Sequence, residues 1–317
     1  MNLLFNELIN GARKGSTEIK ATLGFLDGGF NYDNLEPDIK LNTPYLIDLI
    51  GKEVYNKVVA YYKDPESISD PDESSKLSNA LVFMRLYVLS MAYLDYAPDN
   101  DLNHGNSGRT FRSENNEKIP WDWQVAASNS SIKRRAYKAL DQLILLLDGS
   151  GWSEWTNSEQ FKKSKSVLIT NTNDFDAIFP INKSGQLYYR LVPFMVDFEE
   201  GHLVPILTSE YYGPLKSKSD PTDEEKSILQ LAKKAIAYLS LGKALKAFPV
   251  EMFPDGMAHR EKARDQSMAR AEVMQFLNTE GQRYLQRLQH EVDTQRQTYN
   301  PIDPMTGLDP NSKHVSL

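Results

Sequence analysis

The sequence contains no cysteine among its 317 residues. That absence excludes disulfide bonds, thiolate zinc sites, iron–sulfur clusters and cysteine nucleophiles. An excess of positive charge is also lacking, because 36 lysines and arginines stand against 43 aspartates and glutamates, which leaves a net charge of −7. An overall electrostatic attraction to nucleic acid is therefore not expected.

Long hydrophobic runs are missing as well. No uninterrupted run approaches the ~20 apolar residues that span a bilayer. Residues 1–7 include polar residues and lack the basic start of a signal peptide. We therefore expect a soluble protein that is assembled in the cytosol and makes no contact with a membrane.

A first stretch carries the start signals and apolar spacing of a long amphipathic helix. Asp70 stands at the N-cap position, Pro71 at the first helical position and Glu73 at the third. Apolar residues then recur at spacings of four and three: Leu77, Leu81, Met84, Val88 and Met91. Pro98 predicts the end of this helix, because proline disfavours helical geometry in the preceding residue.

A second stretch has the same design. Thr222 and Glu225 form a capping-box pattern, and Pro249 predicts the end of the helix that follows. The apolar stripe has the same spacing: Ile228, Ala232, Ala235, Leu239 and Gly242. Residues 46–55 also align with residues 203–212, where Leu, Glu and Tyr coincide. The matching order of elements indicates an internal duplication.

The duplication predicts three regions. Residues 1–150 form a first helical unit, residues 151–293 form a second unit, and residues 294–317 form a tail that is flexible or ordered by a partner. Gly149 and Gly151 mark the junction. Apolar stripes predict a closing helix for each unit, and their members are Ile132, Ala136, Ala139, Leu143 and Leu147 in the first, and Met274, Leu277, Gly281, Leu285, Leu288 and Val292 in the second.

Two short segments are rich in β-branched and aromatic residues. They are residues 166–170 and 187–192, and both have the composition of strands. We therefore expect a small β-rich segment around 155–200. The predicted fold class is mainly α with minor β.

Motifs for catalysis are scarce. The five histidines show no metal-binding spacing, and no P-loop or nucleophile elbow is present. Oxygen-rich stretches at 99–103 and 171–176 could gather a cation, although such residues are also common in turns. We therefore predict that the chain is not an enzyme and has no catalytic residue, cofactor or metal. A metal-dependent enzyme with a nonstandard carboxylate site is the weaker alternative.

Aromatic residues in polar surroundings are the candidate interface. Tryptophan and tyrosine are common anchors of protein interfaces because each combines a large apolar ring with a polar atom. The candidates are Trp121, Trp123, Trp152, Trp155, Tyr211 and Tyr212. The alternative interpretation is that the tryptophans cap the domain core at the junction between the two units.

The first unit carries the motifs that suggest a family. Residues 46–55 and 78–93 resemble the small helical head–tail connector, or adaptor, proteins of tailed bacteriophages. The resemblance covers residues 35–148 and extends more weakly over 190–290. The chain is also similar to uncharacterised proteins from phages and prophages of Bacteroides-type bacteria. It departs from the connectors by holding two units where they usually have one.

The resemblance implies a structural virion protein. It would form a neck ring of about twelve subunits between portal and tail, with lateral surfaces that close by rotation. The implied partners are copies of this chain, the portal protein, tail or neck proteins, and DNA passing through the lumen without sequence-specific binding. The implied location is the virion neck, after assembly in the host cytoplasm. A monomeric adaptor that binds one protein through the tryptophan segment is the alternative.

Overall fold

The computed structural model describes residues 3–9, 11–105, 108–111, 120–253 and 263–299. Helices dominate these residues, as predicted. The helices of the first unit are α1 Gly15–Leu23, α2 Glu36–Ile50, α3 Lys52–Lys63, α4 Pro71–Asn100 and α5 Asp122–Ser150. The later helices are α6 Ser153–Thr156, α7 Glu159–Ser166, α8 Thr172–Ile178, α9 Gly185–Phe198, α10 Val204–Leu207, α11 Ser209–Ser217, α12 Asp223–Ala247 and α13 Ala263–Tyr299.

The described strands form two small antiparallel hairpins. The first pairs β1 (Leu8–Ile9) with β2 (Ala12–Arg13). The second pairs β3 (Leu102–Gly105) with β4 (Gly108–Phe111), and it extends the end of α4. Both hairpins lie in the first unit.

The expectation of a β-rich segment around 155–200 is wrong. Residues 187–192 lie within α9, and residue 166 ends α7 before an irregular stretch. Leu187, Tyr188, Leu191 and Val192 are all buried. Five of the six residues in 187–192 are buried, and Arg190 alone is polar and partly exposed. So short a segment shows no clear helical period, and its aromatic and branched composition resembles that of a strand.

Local start signals are confirmed. The Asp70 side chain accepts a hydrogen bond from the Asp72 backbone N–H (3.1 Å), and the Thr222 hydroxyl accepts one from the Glu225 N–H (3.3 Å). The predicted end of the second helix is also confirmed, because α12 ends at Ala247. The predicted end of the first helix is wrong, since α4 continues through Pro98 to Asn100.

The two units repeat one order of elements around a matching helix break. In the first, α2 ends at Gly51 and α3 follows; in the second, α10 ends at Thr208 and α11 follows. Gly51 has φ 87° and ψ 148°, and Thr208 has φ 66° and ψ 146°. A long helix and a closing helix then complete each unit. The aligned buried residues are Leu46 with Leu203, Ile50 with Leu207, and Tyr55 with Tyr212.

One hydrophobic core runs through both units. Helix α4 lies at its centre in the first unit, packed against α1, α2, α3 and α5. Among the described helices, α4 alone has the length and apolar composition that could cross a membrane. Buried Leu77, Met84 and Val88 give it the packing of a core helix.

The structure can be compared with the predicted boundaries at residues 150 and 294. Helix α5 ends at Ser150, and Gly151 caps it in the left-handed conformation with φ 73°, at the predicted junction. The core nevertheless continues across this point. The predicted tail, flexible or ordered by a partner, starts at residue 294, whereas α13 extends to Tyr299. The rest of the predicted tail lies outside the described residues.

The matching breaks generate a prediction about stability. The backbone region at Gly51 and Thr208 is one that only glycine adopts without strain, and a β-branched residue there costs about 1–3 kcal/mol. Thr208→Gly should therefore raise the free energy of unfolding in urea by about 1 kcal/mol, after the entropic cost of glycine. Gly51→Ala should lower it by a similar amount or more, because the added Cβ would also lie 3.3 Å from the Ser158 Cβ.

Gly149→Ala is the matched control. Gly149 lies within helix α5 and a Cβ there meets no atom within 4 Å. This variant should keep or slightly increase stability, because alanine favours helix. A Thr208→Gly protein less stable than the parent would contradict the strain assigned to this break.

Candidate binding surfaces

The structure separates the six predicted interface residues into exposed and buried groups. Trp121 and Trp123 lie at the start of α5 with 71% and 68% of their surfaces exposed. The Trp121 backbone N–H donates to the Gln124 side chain (3.1 Å), which fixes the first turn of the helix. Two large rings are thus exposed to solvent at one helix start, a placement that favours a binding role.

Trp152 and Trp155 are buried and belong to the core. The Trp152 indole N–H donates to a Glu73 carboxylate oxygen (3.0 Å), and the Lys57 ammonium lies 4.6 Å from the ring centroid. The Trp155 indole N–H donates to Asp148 Oδ1 (2.9 Å). These contacts agree with the alternative interpretation that the rings complete the core at the junction.

The predicted tyrosine pair is also divided. Tyr211 is 38% exposed, whereas Tyr212 is buried and its hydroxyl donates to Glu199 Oε2 (2.7 Å). The Lys216 ammonium donates to the same oxygen (2.7 Å), and the Leu168 backbone N–H donates to Glu199 Oε1. Glu199 begins a π-helical turn, Glu199–Leu203, that places its side chain inside the second unit. These hydrogen bonds satisfy a buried carboxylate, so the cluster is structural.

The two oxygen-rich stretches adopt structures that use their oxygens locally. Residues 99–100 end α4 and residues 102–103 begin β3, so no loop forms there. Asn171 caps α8 by accepting the Asp174 N–H (2.8 Å), and Asp176 accepts N–H groups from Ile181 and Lys183. Within the described part of the chain, no group of three or more His, Asp or Glu side chains is arranged to hold a metal ion.

A further cavity was not predicted from the sequence. Its volume is about 510 Å³, and four tyrosines, one arginine and Asp48 line it together with apolar and amide side chains. The tyrosines and arginine are Tyr45, Tyr87, Tyr137, Tyr189 and Arg190. We call this cavity the tyrosine–arginine pocket. It collects residues from α2, α4, α5, α7 and α9, so no local motif could have revealed it.

Exposed aromatic and apolar surface adjoins this pocket. Tyr45 on α2 is 65% exposed, and Leu41, one turn earlier on the same helix, is 67% exposed. Burial raises the pKa of Tyr137 to about 12 and also raises that of Tyr87, although the Arg190 guanidinium partly offsets the second rise. Both hydroxyls therefore remain protonated donors at neutral pH.

A buried carboxylate stands beside a different cavity. Asp141 on α5 accepts hydrogen bonds from the Ser184 hydroxyl (2.8 Å) and the Gln186 N–H (3.1 Å). Burial nevertheless raises the pKa of Asp141 from 3.8 to about 6, because the desolvation exceeds the effect of these donors. This side chain joins α5 to the start of α9.

Comparison with known protein families gives a match for one part of the chain. Residues 46–165 match the model of a family of unknown function, DUF6712. The match covers most of the first helical unit and the short helix α6. No curated protein and no solved structure matches the chain.

The raised pKa of Asp141 predicts a pH-dependent stability. The folded state binds this proton more tightly than the unfolded state, so the contribution of Asp141 to stability falls as pH rises from about 4 through about 6. Asp141→Asn keeps the accepting oxygen and removes the charge. We expect this variant to gain about 1–2 kcal/mol in free energy of unfolding over the parent at pH 8, and little at pH 4.

Urea unfolding of both proteins between pH 4 and pH 8 checks this difference. Asp197→Asn is the control, because Asp197 is an exposed partner of Lys243 and its substitution should change stability little at any pH. A difference between Asp141→Asn and the parent that stays constant over this pH range would refute the assignment.

Proposed function

We propose that this chain is a structural, non-enzymatic protein of the head–tail connector type. In this role it assembles with copies of itself into a neck ring between the portal and the tail of a bacteriophage. The observation that carries the proposal is the exposed pair Trp121 and Trp123 at the start of α5. The resemblance to connector proteins lies in the same helical unit.

The tryptophan pair supports self-assembly on energetic grounds. Each ring presents a large apolar surface, and burying such rings in a partner is a main source of interface energy. Both rings are exposed at one helix start, whereas α5 packs into the core further along through Ala136, Leu140 and Leu143. The two exposed tryptophans thus lie at the start of a helix that is packed into the core.

Charge supports the proposed location. The net charge of −7 gives the chain no general attraction to DNA, and a lumen wall of this kind lets DNA pass without binding. A ring subunit needs only two complementary lateral surfaces that close by rotation. The duplicated unit supplies two helical bodies in one rigid core for such surfaces.

A monomeric adaptor is the second candidate, because the same tryptophan pair could anchor one protein of another kind. The metal-dependent enzyme has less support, since Asn171 and Asp176 direct their oxygens to backbone N–H groups of their own turn. Self-association distinguishes the connector from the adaptor.

The connector proposal predicts a discrete oligomer. Mass photometry of the purified chain, repeated after cross-linking at high concentration, should show one species of about a dozen subunits. The double variant Trp121→Ser with Trp123→Ser should shift the population to monomer while its thermal unfolding stays unchanged, because neither ring contributes to the core.

Val82→Ser is the matched control. Val82 is 53% exposed on α4, so its substitution also removes exposed apolar surface but leaves the tryptophan pair intact. It should keep the oligomer. A parent protein that stays monomeric under both conditions would favour the adaptor, and an oligomer unaffected by the double variant would remove the tryptophan pair from the interface.

A further inference from the structure

Arg190 is a positive charge without an acidic partner in the tyrosine–arginine pocket. It lies in the middle of α9, in a run of apolar residues, and its Nε is buried without a hydrogen-bond partner among the described residues. No carboxylate of the described part of the chain forms an ion pair with it. A partly desolvated cation in this state is costly, and a ligand that brings negative charge would offset that cost.

Hydroxyl donors surround the guanidinium. In the part of the chain that the structure describes, the hydroxyls of Tyr45, Tyr87 and Tyr137 donate to no protein acceptor, whereas the Tyr189 hydroxyl is engaged by Asp148. The Arg190 guanidinium lowers the pKa of Tyr87 against the effect of burial, both by its charge and by a hydrogen bond that the Tyr87 hydroxyl oxygen accepts. Arginine cannot accept a hydrogen bond, so the Tyr87 proton is available to a ligand.

The lining restricts the chemistry of that ligand. The planar fork of a guanidinium matches the two oxygens of a carboxylate. Asp48 also lines the pocket and offsets the charge of Arg190, so the lining carries no net charge. A singly charged anion is therefore favoured over a doubly charged phosphate. Met91, Pro193 and Phe248 add an apolar wall that suits an aromatic or aliphatic body.

We propose that the tyrosine–arginine pocket binds a carboxylate that carries an apolar group. Arg190 receives the carboxylate, Tyr87 and Tyr137 donate hydrogen bonds to it, and the apolar wall packs against the body of the ligand. Two sources share this chemistry: an acidic side chain of a protein segment and a free organic acid. The site does not depend on the ring proposal, because its residues are distinct from the tryptophan pair.

Isothermal titration calorimetry of the full chain tests the site with defined probes. The probes are phenylacetate as a free acid, a capped Phe-Glu-Phe tripeptide as an acidic side chain, its Phe-Gln-Phe counterpart as a neutral control, and inorganic phosphate. We expect phenylacetate or the acidic tripeptide to bind with a dissociation constant on the order of 1 mM or tighter. Binding should weaken at least tenfold in Arg190→Gln and stay unchanged in Arg283→Gln, which alters an exposed arginine on α13.

A second measurement needs no variant that must fold. In the parent protein, the NMR signal of the Arg190 Nε–H group should shift on adding the acid that binds, because this N–H is buried in the pocket. A stronger response to the tripeptide assigns the site to a protein segment, and a stronger response to phenylacetate assigns it to a small acid.

Three results would overturn the proposal. They are the absence of binding and of an Arg190 shift with both acids, equal binding of the acidic and neutral tripeptides, and binding of phosphate as tight as that of the better acid. Unchanged affinity in a folded Arg190→Gln protein would equally remove Arg190 from the site. Tyr137→Phe, which keeps the ring and loses the donor, should weaken binding by about five- to tenfold.

Discussion

The Asp148 carboxylate, near the end of α5, joins this helix to the short helix α6 that follows it and to the first half of α9, which lies much later in the chain. Its Oδ1 accepts hydrogen bonds from the Trp155 indole (2.9 Å) and the Tyr189 hydroxyl (2.8 Å). Burial raises the pKa of Asp148, and these donors oppose the rise by stabilising the charged form. Since Trp155 and Tyr189 lie in different elements, this carboxylate adds polar links to the apolar packing of α5 on α9.

A second buried carboxylate fixes the other end of α9. Glu199, directly after the helix, accepts from the Tyr212 hydroxyl and pairs with Lys216 (2.7 Å each). Helix α9 is therefore held at both ends by carboxylates whose hydrogen bonds are satisfied within the protein. Arg190 lies between them on the same helix, and its side chain has no such partner in the described structure. The Asp148 and Glu199 carboxylates thus stabilise the fold, whereas the Arg190 guanidinium has no carboxylate partner among the described residues and can bind a ligand.

Features that depend on residues close together in the sequence could be predicted from it, whereas features that depend on distant residues could not. The caps at Asp70 and Thr222 depend on neighbours within three residues, and the structure has both. The interpretation of residues 187–192 as a strand was wrong, because five of these six residues are buried and so short a segment does not show the helical period. Trp121 and Trp152 share polar surroundings but differ in exposure, since tertiary packing alone decides it. The pocket draws on five separate helices, so no spacing could reveal it.

The duplication shows which positions the fold constrains. Leu46, Ile50 and Tyr55 are repeated as Leu203, Leu207 and Tyr212, all buried, because the same helices must pack around the same break. Nine residues before each break, however, the first unit has Asn42, bound to Asp95 (2.7 Å), and the second has Glu199, paired with Lys216. Apolar packing is thus retained while buried polar contacts differ. The second unit uses Glu199 to hold the end of α9, and α9 in turn packs against α5 of the first unit.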